Sequence, residues 1–153
     1  MSTVVAEERI HSLEIPLAGA SLLVPSAAVA EVTNPVKLFP VPGAPAWVLG
    51  VMGWRSQAVS VVSFEALLGR PVPPLSEDAK LVVFYPVAGP RASDFYAVLS
   101  IAEPRPQPVT SSSIETEDPS RLPDTPFVAA GVLIKGRALL IPDFEALRRV
   151  FYP

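Results

Sequence analysis

Residues 41–69 read VPGAPAWVLGVMGWRSQAVSVVSFEALLG. Pro42 and Pro45 bound the entry and exclude a helix interior there. Two apolar, β-branched runs follow, 48–53 and 57–62, on either side of a polar step, which is the signature of a hairpin. The step itself, Trp54-Arg55-Ser56-Gln57, lacks the glycine that a tight two-residue turn prefers, so a longer or bulged turn is expected. Ser63 then stands where a helix begins, with a side-chain oxygen able to accept from a free N–H of the first turn. Glu65 falls in that first turn, where the helix dipole favours negative charge. Phe64, Leu67 and Leu68 share one face. No side chain in this stretch is suited to chemistry, and the pattern points to a module that binds partners.

Outward from there, the pattern returns. Residues 61–68 read VVSFEALL and residues 140–147 read LIPDFEAL. Asp143 takes the capping place of Ser63, Glu145 that of Glu65, and Phe144, Leu147 and Phe151 share a face. The second helix also follows a candidate hairpin, 127–134 with 137–141, whose Lys135-Gly136 supplies a turn residue that tolerates positive φ. Two copies of hairpin plus capping helix imply two pseudo-equivalent β-barrels.

The remaining chain is consistent with mostly β structure. Nineteen prolines argue against long helices, since each interior proline costs about 3 kcal/mol. Strands are expected near 10–18, 20–24, 29–33, 80–86 and 94–101 besides the two hairpins, with short helical turns near 25–29 and 45–47 and helices over 63–68 and 143–151. Connections fall at 70–79, 87–93 and 110–126, the last an acidic, Ser/Pro-rich surface excursion whose charges are read as solvated. Residues 104–109 read PRPQPV. Alternate residues of a strand aim their N–H groups to one side, so prolines at 104, 106 and 108 strip that side of donors. The segment is expected at a sheet edge, protected from further pairing, with a proline-rich ligand as the competing reading. Residues 10–153 are taken as a single domain of two barrel subdomains, with 1–9 a flexible N-terminus.

Bulk properties exclude several functions. The 153 residues are half hydrophobic with a net charge of −3, so a sizeable core can form and no basic stripe is present for nucleic acid. Mean hydropathy is +0.40, yet the longest uncharged runs, 15–30 and 38–54, are proline-broken and shorter than the roughly 20 residues of a spanning helix; direct membrane insertion is not expected. The start, MSTVVAEERIHSLE, lacks the basic-then-apolar order of a secretory signal. With no cysteine there is no disulfide framework and no thiolate chemistry, which favours a cytoplasmic protein.

Candidate chemistry is sparse, and no catalytic residue, metal ligand set or cofactor site is assigned. His11 is the single histidine; Glu7, Glu8 and Glu14 are close only in sequence. There is no G-x-S-x-G elbow, P-loop or G-x-G-x-x-G. The run Ser111–Ser113 has no base nearby. Trp47, following Pro45, is expected in the core. Trp54 stands at a hairpin tip, where an exposed indole would be a binding anchor and packing over the hairpin is the alternative. Arg55 beside it is either a solvated turn residue or a fork that grips a partner's carboxylate.

Three segments resemble the CheW-like domains, adaptors that couple chemoreceptors to the CheA histidine kinase. VAEV at 29–32 is similar to the family's V-x-E-V/I strand. Residues 41–69 resemble its P-x-x-P…G…N-L-R-G…P-V…D-L motif, and FVAAGVLIKGRALLIPDFEAL resembles its closing hairpin and helix. The resemblance covers the chain from about Ser12 to Phe151. Gly53-Trp54-Arg55-Ser56 stands where the family has N-L-R-G, and Ser60 and Ser63 replace its frequent proline and aspartate. These departures resemble the divergent PilI-like and ChpC-like members of systems that control type IV pili and twitching motility.

What the resemblance implies is a mainly β fold of two intertwined five-stranded β-barrels with short capping helices, and a non-catalytic scaffold function. The partners implied are the regulatory domain of a CheA-type histidine kinase, barrel against barrel, and the cytoplasmic tip of a methyl-accepting chemoreceptor in the groove between barrels. Recruitment to membrane-associated receptor arrays follows. Glu31, Val32 and Arg55 fall on partner-contact positions, with Trp54 beside them; Gly50 and Gly131 fall on family glycines expected at close packing or bulges. The alternative function is a small β-barrel that binds a ligand and has no kinase partner.

Overall fold

SLEIPL, buried at Ser12, Glu14, Ile15 and Leu17, and the leucine-rich ASLLVP that follows it form the first hairpin, β1 (Ser12–Leu17) and β2 (Ala20–Pro25). The computed structural model describes residues 8–86 and 94–151. A single 3₁₀ turn, Ser26–Ala28, leads to β3 (Val29–Thr33). Residues 41–69 then fold as β4 (Val48–Trp54), β5 (Gln57–Val62) and helix α1 (Phe64–Leu67). β6 (Lys80–Phe84) and β7 (Tyr96–Ser100) follow, then the two-residue strands β8 (Arg105–Pro106) and β9 (Glu115–Thr116). The chain closes with β10 (Val128–Ile134), β11 (Arg137–Pro142) and α2 (Phe144–Phe151). Ser63 Oγ accepts from Ala66 N–H at 3.2 Å and Asp143 Oδ1 from Ala146 N–H at 2.9 Å, so both helices carry the expected caps.

The strands form two sheets, ordered β8-β1-β2-β11-β10-β9 and β3-β6-β7-β5-β4. The first five strands of the one repeat the pattern of the other: antiparallel, antiparallel, parallel, antiparallel. The internal echo is thus a repeat of whole sheets. They are intertwined because β1 and β2 pair with strands from the end of the chain, while β3 to β7 build the other sheet between them. β9 makes the first sheet six-stranded where five were expected. It comes from the 110–126 excursion, which returns to pair with β10 at Val132↔Thr116. Glu117 in that segment is buried and its Oε1 accepts from Asp118 N–H at 2.9 Å, so its carboxylate is not solvated as the acidic composition suggested.

Three apolar clusters follow from this layout. One lies on the inner face of the second sheet (Met52, Val59, Val61, Leu81, Val83, Leu99) and one on that of the first (Leu23, Val132, Ile134, Leu139). The largest joins the sheets: Ile15, Leu22 and Leu140 from the first meet Val62, Phe64, Phe84 and Tyr96 from the second, with Leu147 of α2. Trp47 packs against this junction, edge-on to Phe151 at 5.5 Å between ring centroids.

Both hairpin starts are bulged, at 48/50 and 128/130. Gly50 has φ +149, and a Cβ there would lie 2.8 Å from the Phe39 carbonyl oxygen, because Phe39 pairs with Val51 along the outer edge of β4. Gly131 makes room for Leu122 and Glu117, whose N–H donates to the Gly131 carbonyl at 2.9 Å. The edge reading of 104–109 also stands. Gln107 and Val109 donate inward, to Ser12 and Ile10, which leaves Pro106 and Pro108 exposed on the outer side, while Pro104 is buried. The 87–93 connection and residues 1–7 of the expected N-terminal tail lie outside the described residues.

One turn differs from expectation. Trp54 pairs directly with Gln57, so the loop has two residues and no bulge. Arg55 (φ 47) and Ser56 (φ 61) both take positive φ, matching Lys135 (φ 51) and Gly136 (φ 77) in the second hairpin. The right-handed twist of the flanking strands selects this turn even with side chains at both positions.

Candidate functional site

β3 and β4 are the two edge strands of the second sheet, with three strands between them. Their side chains nevertheless meet, so the sheet curls until its edges face each other. A bulge between 29 and 31 sets Glu31 on β3; the two-residue turn sets Trp54 and Arg55 at the end of β4. Trp54 Nε1–H donates to Glu31 Oε2 at 2.9 Å, and Arg55 Nη2 donates to Glu31 Oε1 at 3.4 Å. The Arg55 guanidinium lies 4.4 Å over the Trp54 ring, within cation–π range. Behind it the indole packs on Phe95, 4.9 Å between centroids.

Burial assigns different parts to these residues. Trp54 is 8% exposed, so it does not protrude as a free indole; curling of the sheet covers it. Its N–H holds Glu31 and its face supports Arg55. The charged heads stay in reach of solvent, with side-chain exposures of 58% for Arg55 and 39% for Glu31. Val32 is half-buried against the junction between the sheets. Three of the four residues singled out in the sequence thus form one cluster, with Val32 adjacent.

Two clefts open on the second sheet, the polar one against β3. A polar one of about 390 Å³ is lined by Glu31, Val32, Thr33, Asn34, Lys80 and Glu103. Lys80 Nζ donates to Asn34 Oδ1 at 2.6 Å and approaches Glu103 at 3.8 Å. An apolar one of about 370 Å³ opens between Val36, Leu38, Leu49, Val72, Leu75 and Leu99. Leu75 and Val36 are exposed at 66% and 46%. Among the described residues no three His, Cys, Asp or Glu side chains come together as a metal site. Glu14, considered beside His11, is instead buried and accepts from Arg137 Nη2 at 2.6 Å. No helix of the described residues is long and apolar enough to cross a membrane.

Residues 11–150 match the family model of the CheW-like domain. The chain belongs to the CheW-like family. No curated protein matches its sequence. Among solved structures, the CheW-like chain is similar to the scaffolding protein TtCheW from Thermoanaerobacter tengcongensis. The two share a TM-score of 0.76 at 17% identity, over 94% of this chain and 90% of that one. At that identity the likeness is one of fold.

Sequence reasoning missed the apolar cleft of this CheW-like chain. Val72 and Leu75 lie in a proline-rich connection that reads as a mere linker. The available signal was two large apolar residues in a segment with no periodicity to bury them.

Proposed function

We propose that this CheW-like chain is a non-catalytic coupling scaffold of a chemosensory system. It joins the regulatory domain of a CheA-type histidine kinase to the cytoplasmic tip of a methyl-accepting chemoreceptor. It works in the cytoplasm at membrane-associated receptor arrays, in a pathway that controls type IV pili and twitching motility. The observation that carries the reading is the Glu31–Trp54–Arg55 cluster. A buried indole holds an exposed carboxylate and guanidinium in fixed places, so little side-chain entropy is lost when a partner engages them. Charges placed this way set register and partner choice, while an apolar cleft elsewhere on the same sheet offers contact area. Glu31, Arg55 and Val32 make the contact in this proposal, and Trp54 positions them.

Arg55→Glu tests it. The variant places two carboxylates side by side and should lose partner binding. The melting temperature should fall by no more than a few degrees, because an exposed pair contributes only about 0–1 kcal/mol. A folded variant with unchanged affinity for every cognate partner removes Arg55 from the site. The runner-up, a ligand-binding protein without a kinase partner, rests on the apolar cleft. A stoichiometric small molecule retained through purification would favour it.

A further inference from the structure

The two helix glutamates, Glu65 and Glu145, occupy equivalent places in the sequence echo and have opposite fates. Glu145 is 45% exposed at its side chain and pairs with Arg148 and Arg149 on its own helix. Glu65 is fully buried. Its Oε2 accepts from the Ala18 N–H at 2.9 Å, and Ser63 Oγ lies 3.4 Å from its Oε1. Ala18 belongs to the β1–β2 turn of the first sheet, whereas α1 follows the second. The bond therefore crosses from one sheet to the other. Two more crossings land beside it, at the end of β7: Ile101 N–H donates to the Pro16 carbonyl at 3.1 Å, and Ser100 Oγ, whose one hydrogen is shared with the nearer Ala102 carbonyl at 2.7 Å, lies 3.1 Å from the same Pro16 oxygen.

The buried cluster that joins the sheets is mostly apolar. Apolar burial is strong and non-directional, so it holds two sheets together without fixing how one is set against the other. Hydrogen bonds are directional, and a buried carboxylate that loses its donor is costly. We propose that Glu65 is a positioning residue that fixes the register of the two sheets across their shared core, with residues 16–18 as the receiving point. Resting on the coupling function proposed above, a partner that contacts both sheets would meet a surface whose shape this register sets.

Amide hydrogen exchange on the full chain without partners tests the proposal, so the outcome does not depend on which partner binds. Glu65→Ala should speed exchange at Ala18 roughly ten- to hundredfold, because its N–H loses a buried acceptor. Amides inside the β4–β5 and β10–β11 hairpins should stay within about threefold of the parent. Glu65→Gln keeps a carbonyl acceptor and should restore protection at Ala18; it also serves if the alanine variant does not fold. Residual dipolar couplings should fit one common orientation of the two sheets in the parent and in Glu65→Gln, and fail to do so in Glu65→Ala. Unchanged exchange at Ala18 in Glu65→Ala, uniform acceleration across all strands, or a folded Glu65→Gln with Ala18 unprotected would each overturn it.

Discussion

Replacing Ser56 by glycine should make this protein more stable. The two hairpin turns are equivalent: Trp54↔Gln57 closes one and Ile134↔Arg137 the other. Both central pairs have positive φ, Arg55 and Ser56 in the first, Lys135 and Gly136 in the second. A side-chain-bearing residue in this region costs about 1–2 kcal/mol. Glycine removes that cost at position 56 but gives back about 0.4–1 kcal/mol through the greater freedom of the unfolded chain. Taking the middle of each range, the net is a gain of about 0.8 kcal/mol. For a chain of 153 residues this raises Tm by about 1–4 °C. Gly136→Ser is the mirror experiment. An added Cβ there meets open space, so only the backbone term acts, and the variant should lose a similar amount. Urea and thermal unfolding followed by circular dichroism measure both, with the slope m unchanged. A neutral or destabilised Ser56→Gly, or a neutral Gly136→Ser, would refute the assignment of strain to this turn.

Other perturbations follow from the same geometry. Gly50→Ala drives a Cβ against the Phe39 carbonyl at a positive φ and should cost about 3 kcal/mol, read by urea unfolding. Trp54→Phe removes the indole donor to Glu31; because that carboxylate is partly solvated, the loss should be about 1 kcal/mol, well below the cost of emptying the site with alanine. The Arg148 hydrogen bond holds the Glu145 carboxyl below the usual glutamate value. Its contribution to stability is present above the unfolded-state pKa and is lost as pH falls through the lower folded-state value. Carboxyl NMR titration should show that depressed midpoint, moving upward in Arg148→Ala.

Much of the fold is legible because it rests on local rules. Ser63 and Asp143 announce their helices by cap chemistry, and prolines 104, 106 and 108 announce an edge by removing donors. The repeat VVSFEALL and LIPDFEAL was enough to expect two related halves. The illegible features depend on contacts distant along the chain. Trp54 reads as a protruding tip residue until the sheet curls and brings Glu31 beneath it. Glu65 and Glu145 look alike, and only the nearby β1–β2 turn makes one of them a buried acceptor. The turn at Arg55-Ser56 reads as loose because it lacks glycine, yet the strand twist on either side dictates its geometry. β9 is too short and polar to carry a strand pattern; it forms because Gly131 on β10 leaves room for the segment around Glu117 and Leu122.

The central claim, that the Glu31–Arg55 cluster is a docking surface for a kinase partner, is tested most directly by calorimetric titration. The titrant is the regulatory domain of each CheA-type kinase from the protein's own organism. The coupling-scaffold account predicts saturable one-to-one binding to at least one of them, weakened at least tenfold by charge reversal at Glu31 or Arg55 in variants that remain folded. No binding to any of them, or binding indifferent to both reversals, would contradict it.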